Sequence, residues 1–193
     1  TPPEMAAVII TPATAITTST VLTCTATATD PDGETLSITH VWTNAAGTEL
    51  GSADTLSLTP ETTAPGDEVT CTATATDGEG ETAAGSAMVA VDNTAPEITA
   101  VTITPETGIT TASTLSCEAT ASDADDDALT LSYTWHNAIT GDTLGTDTSL
   151  TLSTDTTSPG DGIVCTAVVT DPSGGTDTDN ASVSVSMCKL CHR

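Results

Sequence analysis

TCTATATDPDGETLSITHVW (residues 23–42) reads again as SCEATASDADDDALTLSYTW (residues 116–135). Each stretch has a cysteine as its second residue and closes on a tryptophan. Between them an alternating Thr/Ala segment runs into an acidic turn and then into a second alternating segment. Alternation with period two, in Thr and β-branched residues, is the pattern of half-buried strands. The duplication extends outward from this core. Residues 1–45 match residues 94–138, and TTAPGDEVTCTATATD (residues 62–77) matches TTSPGDGIVCTAVVTD (residues 156–171). Cys24, Trp42 and Cys71 thereby correspond to Cys117, Trp135 and Cys165. A repeat of this period marks two copies of one module.

Each copy contains about seven short alternating segments separated by Pro, Gly and Asp turns, a count and spacing that predict a β-sandwich. In the first copy the strands are expected at residues 5–11, 20–29, 36–43, 48–51, 55–59, 68–76 and 86–92. The expected organisation is one domain over residues 1–92, a second over 93–186 and a tail over 187–193. No apolar run reaches membrane-spanning length.

The Cys24…Trp42…Cys71 pattern resembles the immunoglobulin family, with a cysteine on strand B, a tryptophan on strand C and a cysteine on strand F. The resemblance covers nearly the whole chain, through Ser186. It implies an all-β fold of two tandem immunoglobulin-like sandwiches, and disulfides Cys24–Cys71 and Cys117–Cys165. One feature departs from the family. The position of its conserved corner tyrosine falls on Val69 and Ile163, which resembles the divergent bacterial immunoglobulin-like repeats of large secreted surface proteins. Paired disulfides imply an oxidising compartment, so the protein is expected outside the cell or on its surface.

The charge balance restricts partners. Lys and Arg total 2 and Asp and Glu total 27, giving a formal net charge of −25. Such a surface repels nucleic acid and anionic lipid. Phe is absent, and the aromatic residues are Trp42, Trp135 and Tyr133, too few for a large aromatic substrate pocket. No nucleophile motif or phosphate loop stands out, and catalysis is not expected.

The repeat stops at Ser186, where a different chemistry begins. Cys188-Lys189-Leu190-Cys191-His192 is a C-x-x-C-H sequence, the attachment signature of c-type haem. The two thiols would form thioethers to the vinyl groups, and His192 would then lie under the iron as proximal ligand. The same residues also suit a C-x-x-C disulfide, an intermolecular crosslink or a metal clip completed by a partner. For the iron's other face the candidates are His136, His40, Met187 or a group on another molecule. In the immunoglobulin-like arrangement strands C and G end at the same end of one sheet. His136, beside the inward Trp135, would then face outward about 10 Å from the strand that leads into the tail. His40 shares parity with Trp42 and reads as half-buried, with ligation of a neighbouring molecule's haem as its less favoured role.

Four acidic stretches, at residues 30–34, 77–81, 123–127 and 171–179, fall in the B–C and F–G loops of the two copies. Asp30, Asp32, Glu34, Asp77, Asp123, Asp125, Asp127 and Asp171 resemble Ca²⁺-coordinating carboxylates, because hard Ca²⁺ takes several flexible oxygen ligands. Asp and Gly are equally the ordinary turn residues of an acidic protein. The functional expectation is an extracellular structural protein, a filament or stalk subunit carrying one haem c, with itself (end to end) or other surface proteins as partner. An electron-transfer cytochrome on an immunoglobulin-like scaffold and a haem-free fragment of a larger repeat adhesin are the competing readings.

Overall fold

The computed structural model describes residues 1–187 and is all-β. The chain divides into two compact units, Thr1–Thr94 and Ala95–Arg193. In the first unit the strands are β1 (Glu4–Thr11), β2 (Val21–Thr29), β3 (Ser37–Asn44), β4 (Glu49–Gly51), β5 (Thr55–Ser57), β6 (Glu68–Thr76) and β7 (Thr82–Ala90). They form a three-stranded sheet, β1-β2-β5, facing a four-stranded sheet, β4-β3-β6-β7. The second unit repeats this with β8 (Glu97–Thr104), β9 (Thr114–Ser122), β10 (Thr130–Asn137), β11 (Thr143–Gly145), β12 (Ser149–Thr151), β13 (Gly162–Thr170) and β14 (Thr176–Ser184). Its sheets are β12-β9-β8 and β11-β10-β13-β14. All pairings are antiparallel. Both units are immunoglobulin-like sandwiches, as the cysteine and tryptophan pattern implied.

The Thr/Ala alternation accounts for the layers. Along β6, Val69, Cys71, Ala73 and Ala75 are buried while the threonines between them lie toward the outer side. Without phenylalanine, each core is built from aliphatic side chains around a single tryptophan. Trp42 packs with Ile10, Ile16, Leu22, Leu58 and Val69, and Trp135 with Ile103, Ile109, Leu115, Leu152 and Ile163. Both tryptophans are fully buried. Each indole N–H finds a backbone acceptor: Trp42 Nε1 donates to Ala53 O at 2.9 Å and Trp135 Nε1 to Asp147 O at 2.8 Å. A buried indole N–H left unpaired would cost the desolvation of that group. Val69 and Ile163, at the place of the family's corner tyrosine, are themselves fully buried core residues.

The disulfides Cys24–Cys71 and Cys117–Cys165 are formed. Each joins the central strand of one sheet to a central strand of the other. In register, Trp42 sits directly opposite Cys71 on the neighbouring strand, and Trp135 opposite Cys165.

Six of the seven expected strands in the first unit lie within two residues of their observed bounds, and the seventh differs. β7 begins at Thr82 rather than at residue 86, and it ends at Ala90. Ala83, Ala84 and Gly85 are poor strand formers, which hid the start of this strand. At Gly85 the reason is close approach: a Cβ there would meet Met5 Cγ at 2.9 Å and Val8 Cγ2 at 3.1 Å. Asp92 lies beyond the strand, and its amide and carboxylate bond to the backbone of Ile16.

The bridge between Cys24 and Cys71 closes a loop of sequence separation 47. Chain entropy then assigns it about 4 kcal/mol of stability, within a usual range of about 2–5 kcal/mol. Replacing Cys24→Ala together with Cys71→Ala should lower the stability of the first unit by this amount in urea unfolding followed by tryptophan fluorescence. The second unit's transition serves as the internal reference, and an unchanged first transition would contradict the assignment.

Candidate functional site

At one end of the first sandwich, two chain reversals come together. Asp30 directly follows β2 and Asp77 directly follows β6. Each closes its own turn with one carboxylate oxygen, the habit of Asp at the start of a turn. Asp30 Oδ1 accepts the Asp32 N–H at 2.7 Å. Asp77 Oδ1 accepts the N–H groups of Glu79 at 2.9 Å and Glu81 at 2.8 Å. Glu34 completes the group: one carboxylate oxygen from each of Asp30, Glu34 and Asp77 lies within 4.8 Å of the other two.

The second unit repeats the arrangement. Asp123 Oδ1 accepts the Asp125 N–H at 2.7 Å, and Asp171 Oδ1 accepts the Gly175 N–H at 2.8 Å. One oxygen from each of Asp123, Asp127 and Asp171 lies within 4.8 Å of the others. Gly33 adopts φ +76° in the first turn, and its counterpart Asp126 keeps the left-handed conformation at φ +58°. Asp is among the few residues that tolerate this region.

Of the eight carboxylates that the sequence marks as metal ligands, the structure gathers six into these two trios and leaves two aside. Asp32 turns to the amino group of Thr1, 2.7 Å away, with Glu81 at 3.5 Å from the same nitrogen. Asp125 is buried and contributes its backbone N–H to the turn. Both sit two residues into the turn, where the backbone is committed to the preceding aspartate. What the sequence did not show is that Asp77 and Asp171 would be buried, at 7 % and 5 % exposure. The available signal is an aspartate closing an alternating strand with glycine three residues on.

Crowding of like charges shows in the carboxyl groups. Burial, then the charges of Glu79, Asp77 and Asp30, pushes Glu34 above the ordinary carboxylate range, while the Thr1 ammonium pulls the other way. Burial, then Asp123, Asp125 and Asp171, pushes Asp127 up. Asp32 is held low by its bond to the amino group, and Asp177 by the N–H groups of Ile98 and Thr178.

The haem-attachment residues Cys188, Cys191 and His192 lie outside the described residues. The strand leading to them is described. β14 runs beside β13, which runs beside β10. His136 is opposite Val164, which is opposite Ser182, so His136 and Ser182 share a row two strand spacings apart, about 10 Å. His136 is half-buried between the buried residues Trp135 and Asn137. His40 is half-buried on the parity of Trp42, and its Nε2 is buried without a hydrogen-bond partner among the described residues. Met187 is exposed.

The bacterial Ig domain family matches residues 2–92. No curated protein matches the chain. Among solved structures, the three N-terminal domains of the highly immunogenic outer capsid protein of bacteriophage RB49 align over 97% of this chain and 71% of that one, with 14% identity and a TM-score of 0.37. Sidekick-1 immunoglobulin domains 1–4 align over 96% of this chain and 50% of that one, at 20% identity and a TM-score of 0.42. A tetra-tandem repeat from the extending region of a large adhesion protein aligns over 93% and 49%, at 20% identity and a TM-score of 0.38. At these identities the likeness extends to the fold alone. The bacterial Ig match and the two disulfides point to an extracellular protein. Among the described residues no helix is long and apolar enough to cross a membrane. Immunoglobulin-like sandwiches are typically structural domains and commonly mediate contacts between proteins, which fits a surface or repeat-adhesin type of structural protein.

A carboxyl raised in the folded state binds its proton more readily there than in the unfolded chain. Stability therefore rises as the pH falls through the raised values of Glu34 and Asp127, and is lost above them. In EDTA, the melting temperature should climb as the pH is lowered from neutral toward the ordinary carboxylate range, before the depressed Asp32 and Asp177 act in the opposite sense. Thermal scans across this interval check it; a flat or falling melting temperature would count against the crowding.

Proposed function

We propose that the protein is an extracellular structural subunit, part of a filament or surface stalk, whose C-terminal C-x-x-C-H sequence carries one covalent c-type haem. The observation that carries the reading is the pairing of two rigid, separately bridged modules with a tail that departs from the repeat at Ser186. A sandwich tied across its middle resists extension and suits a spacer. The four module cysteines are consumed in bridges, leaving Cys188 and Cys191 as the remaining pair. When bound there, the haem would supply a redox centre and a strong visible chromophore.

His136 is the residue of this chain best placed for the iron's second axial position. It stands on the outer side of β10, at the end of the sheet toward which β14 also runs. His40 faces inward on the parity of Trp42 and suits a structural role. The partners follow from the same surface: a second copy meeting the tail, or another surface protein. The net charge of −25 disfavours nucleic acid.

The test is a visible absorption spectrum of protein secreted from a host with c-type haem maturation. A Soret band, sharp reduced bands and haem retained through a denaturing gel are expected. No Soret band would overturn haem carriage and make the tail a disulfide or crosslink. His136→Ala should convert a low-spin spectrum to high-spin, and an unchanged spectrum would reject His136 as the ligand. Sizing at rising concentration should show self-association, which a persistent monomer contradicts.

A further inference from the structure

The two carboxylate trios contain charge that the protein itself does not neutralise. Lys189 and Arg193 are the chain's only lysine and arginine, so residues 1–187 carry neither. The Thr1 ammonium makes its ion pairs with Asp32 and Glu81 and reaches Glu34 of the first trio only through a weaker, longer-range attraction. Yet Asp77, 7 % exposed, has an Oδ2 that is buried with no hydrogen-bond partner among the described residues. Its Oδ1 is taken by two backbone N–H groups, which fixes the carboxylate and leaves Oδ2 for a ligand. Asp30 Oδ2 in the same trio is also buried and without a hydrogen-bond partner among the described residues, as are Asp123 Oδ2 and Asp127 Oδ2 in the second. Buried carboxylate oxygens without a donor are costly and call for a proton or a cation.

The internal duplication supplies a comparison. Asp30, Glu34 and Asp77 of the first copy correspond to Asp123, Asp127 and Asp171 of the second, so a carboxylate is kept at all three places. Their neighbours are not kept: Gly78 becomes Pro172, Glu79 becomes Ser173 and Glu81 becomes Gly175. General acidity would not preserve the three converging groups while losing two glutamates beside them. The donor set also selects the ion. It is oxygen only, which suits a hard cation and disfavours zinc or copper. Oxygens bound at 2.3–2.6 Å lie on a sphere about 5 Å across, and in each trio the three carboxylate oxygens all lie within 4.8 Å of one another. Magnesium needs a tighter, near-ideal octahedron.

We propose that each sandwich binds one Ca²⁺ ion between its β2–β3 and β6–β7 loops (β9–β10 and β13–β14 in the second unit), held by Asp30, Glu34 and Asp77 in the first and by Asp123, Asp127 and Asp171 in the second. The ion ties the loop that crosses between the two sheets to a hairpin loop of the four-stranded sheet that is far from it in sequence. This site is independent of the haem and of any assembly.

Calorimetric titration of the EDTA-treated full chain with CaCl₂, in about 0.15 M NaCl to screen diffuse ion condensation, should give two ions per chain and a higher melting temperature. Asp77→Asn keeps the Oδ1 acceptor and should reduce the stoichiometry to one. Adding Asp171→Asn should reduce it to none, and MgCl₂ should bind more weakly than CaCl₂. Glu34→Gln, on an exposed residue that bonds no backbone amide in the turns, tests the first site should Asp77→Asn fail to fold. Non-saturating heats, or a stoichiometry unchanged by these substitutions, would overturn the proposal.

Discussion

A single covalent bond in each sandwich crosses from one sheet to the other beside the only tryptophan of that module, and the remaining structure is arranged around it. The bridge ties β2 to β6 in the first unit and β9 to β13 in the second. With no phenylalanine and many alanines facing inward, each core is thin for a module of this size, and small cores need reinforcement. The tryptophan fills the space against the bridge, with its N–H satisfied by a backbone carbonyl across the core. The inward rows of Ala73 and Ala75, or of Ala167 and Val169, continue the same layer toward the acidic end. There the sheets give way to turns, so the packing that the bridge enforces also sets the distance between the paired loops.

The second constraint is charge. A chain with 27 acidic residues and 2 lysines and arginines has too few countercharges for its carboxylates. Two arrangements of them recur among the described residues. Most are exposed, where water and salt screen them. Others close turns with one oxygen on backbone N–H groups, as Asp30, Asp77, Asp123 and Asp171 do. The second arrangement places carboxylates close together at the loop end. The turn chemistry that shapes the loops and the electrostatics that make them attractive to a cation are consequences of the same residues.

Much of this was legible in the sequence. Period-two alternation located the strands, and the repeat aligned the cysteines and tryptophans, because burial on one face of a strand leaves a direct mark on residue order. The start of strand β7 was misplaced, since Ala83, Ala84 and Gly85 are poor strand formers and Gly85 answers to the closeness of Met5 and Val8 rather than to strand propensity. Three-dimensional proximity of that kind leaves no local signal. The acidic loops were visible as a set, but not which carboxylates converge: Asp32 and Asp125 look equivalent to Asp30 and Asp123 in composition and differ only in their place within the turn. The tail motif was read from its spacing alone and lies outside the described residues.

The account stands on the pairing of cysteines within each half of the chain. Trypsin has no cleavage site in residues 1–187, so the decisive measurement is a non-reducing peptide map after cleavage at acidic residues, read by mass spectrometry. It should return crosslinked peptides joining Cys24 to Cys71 and Cys117 to Cys165, and no others among these four. Free thiols at these positions, or a bond between the two halves such as Cys24 to Cys165, would contradict it.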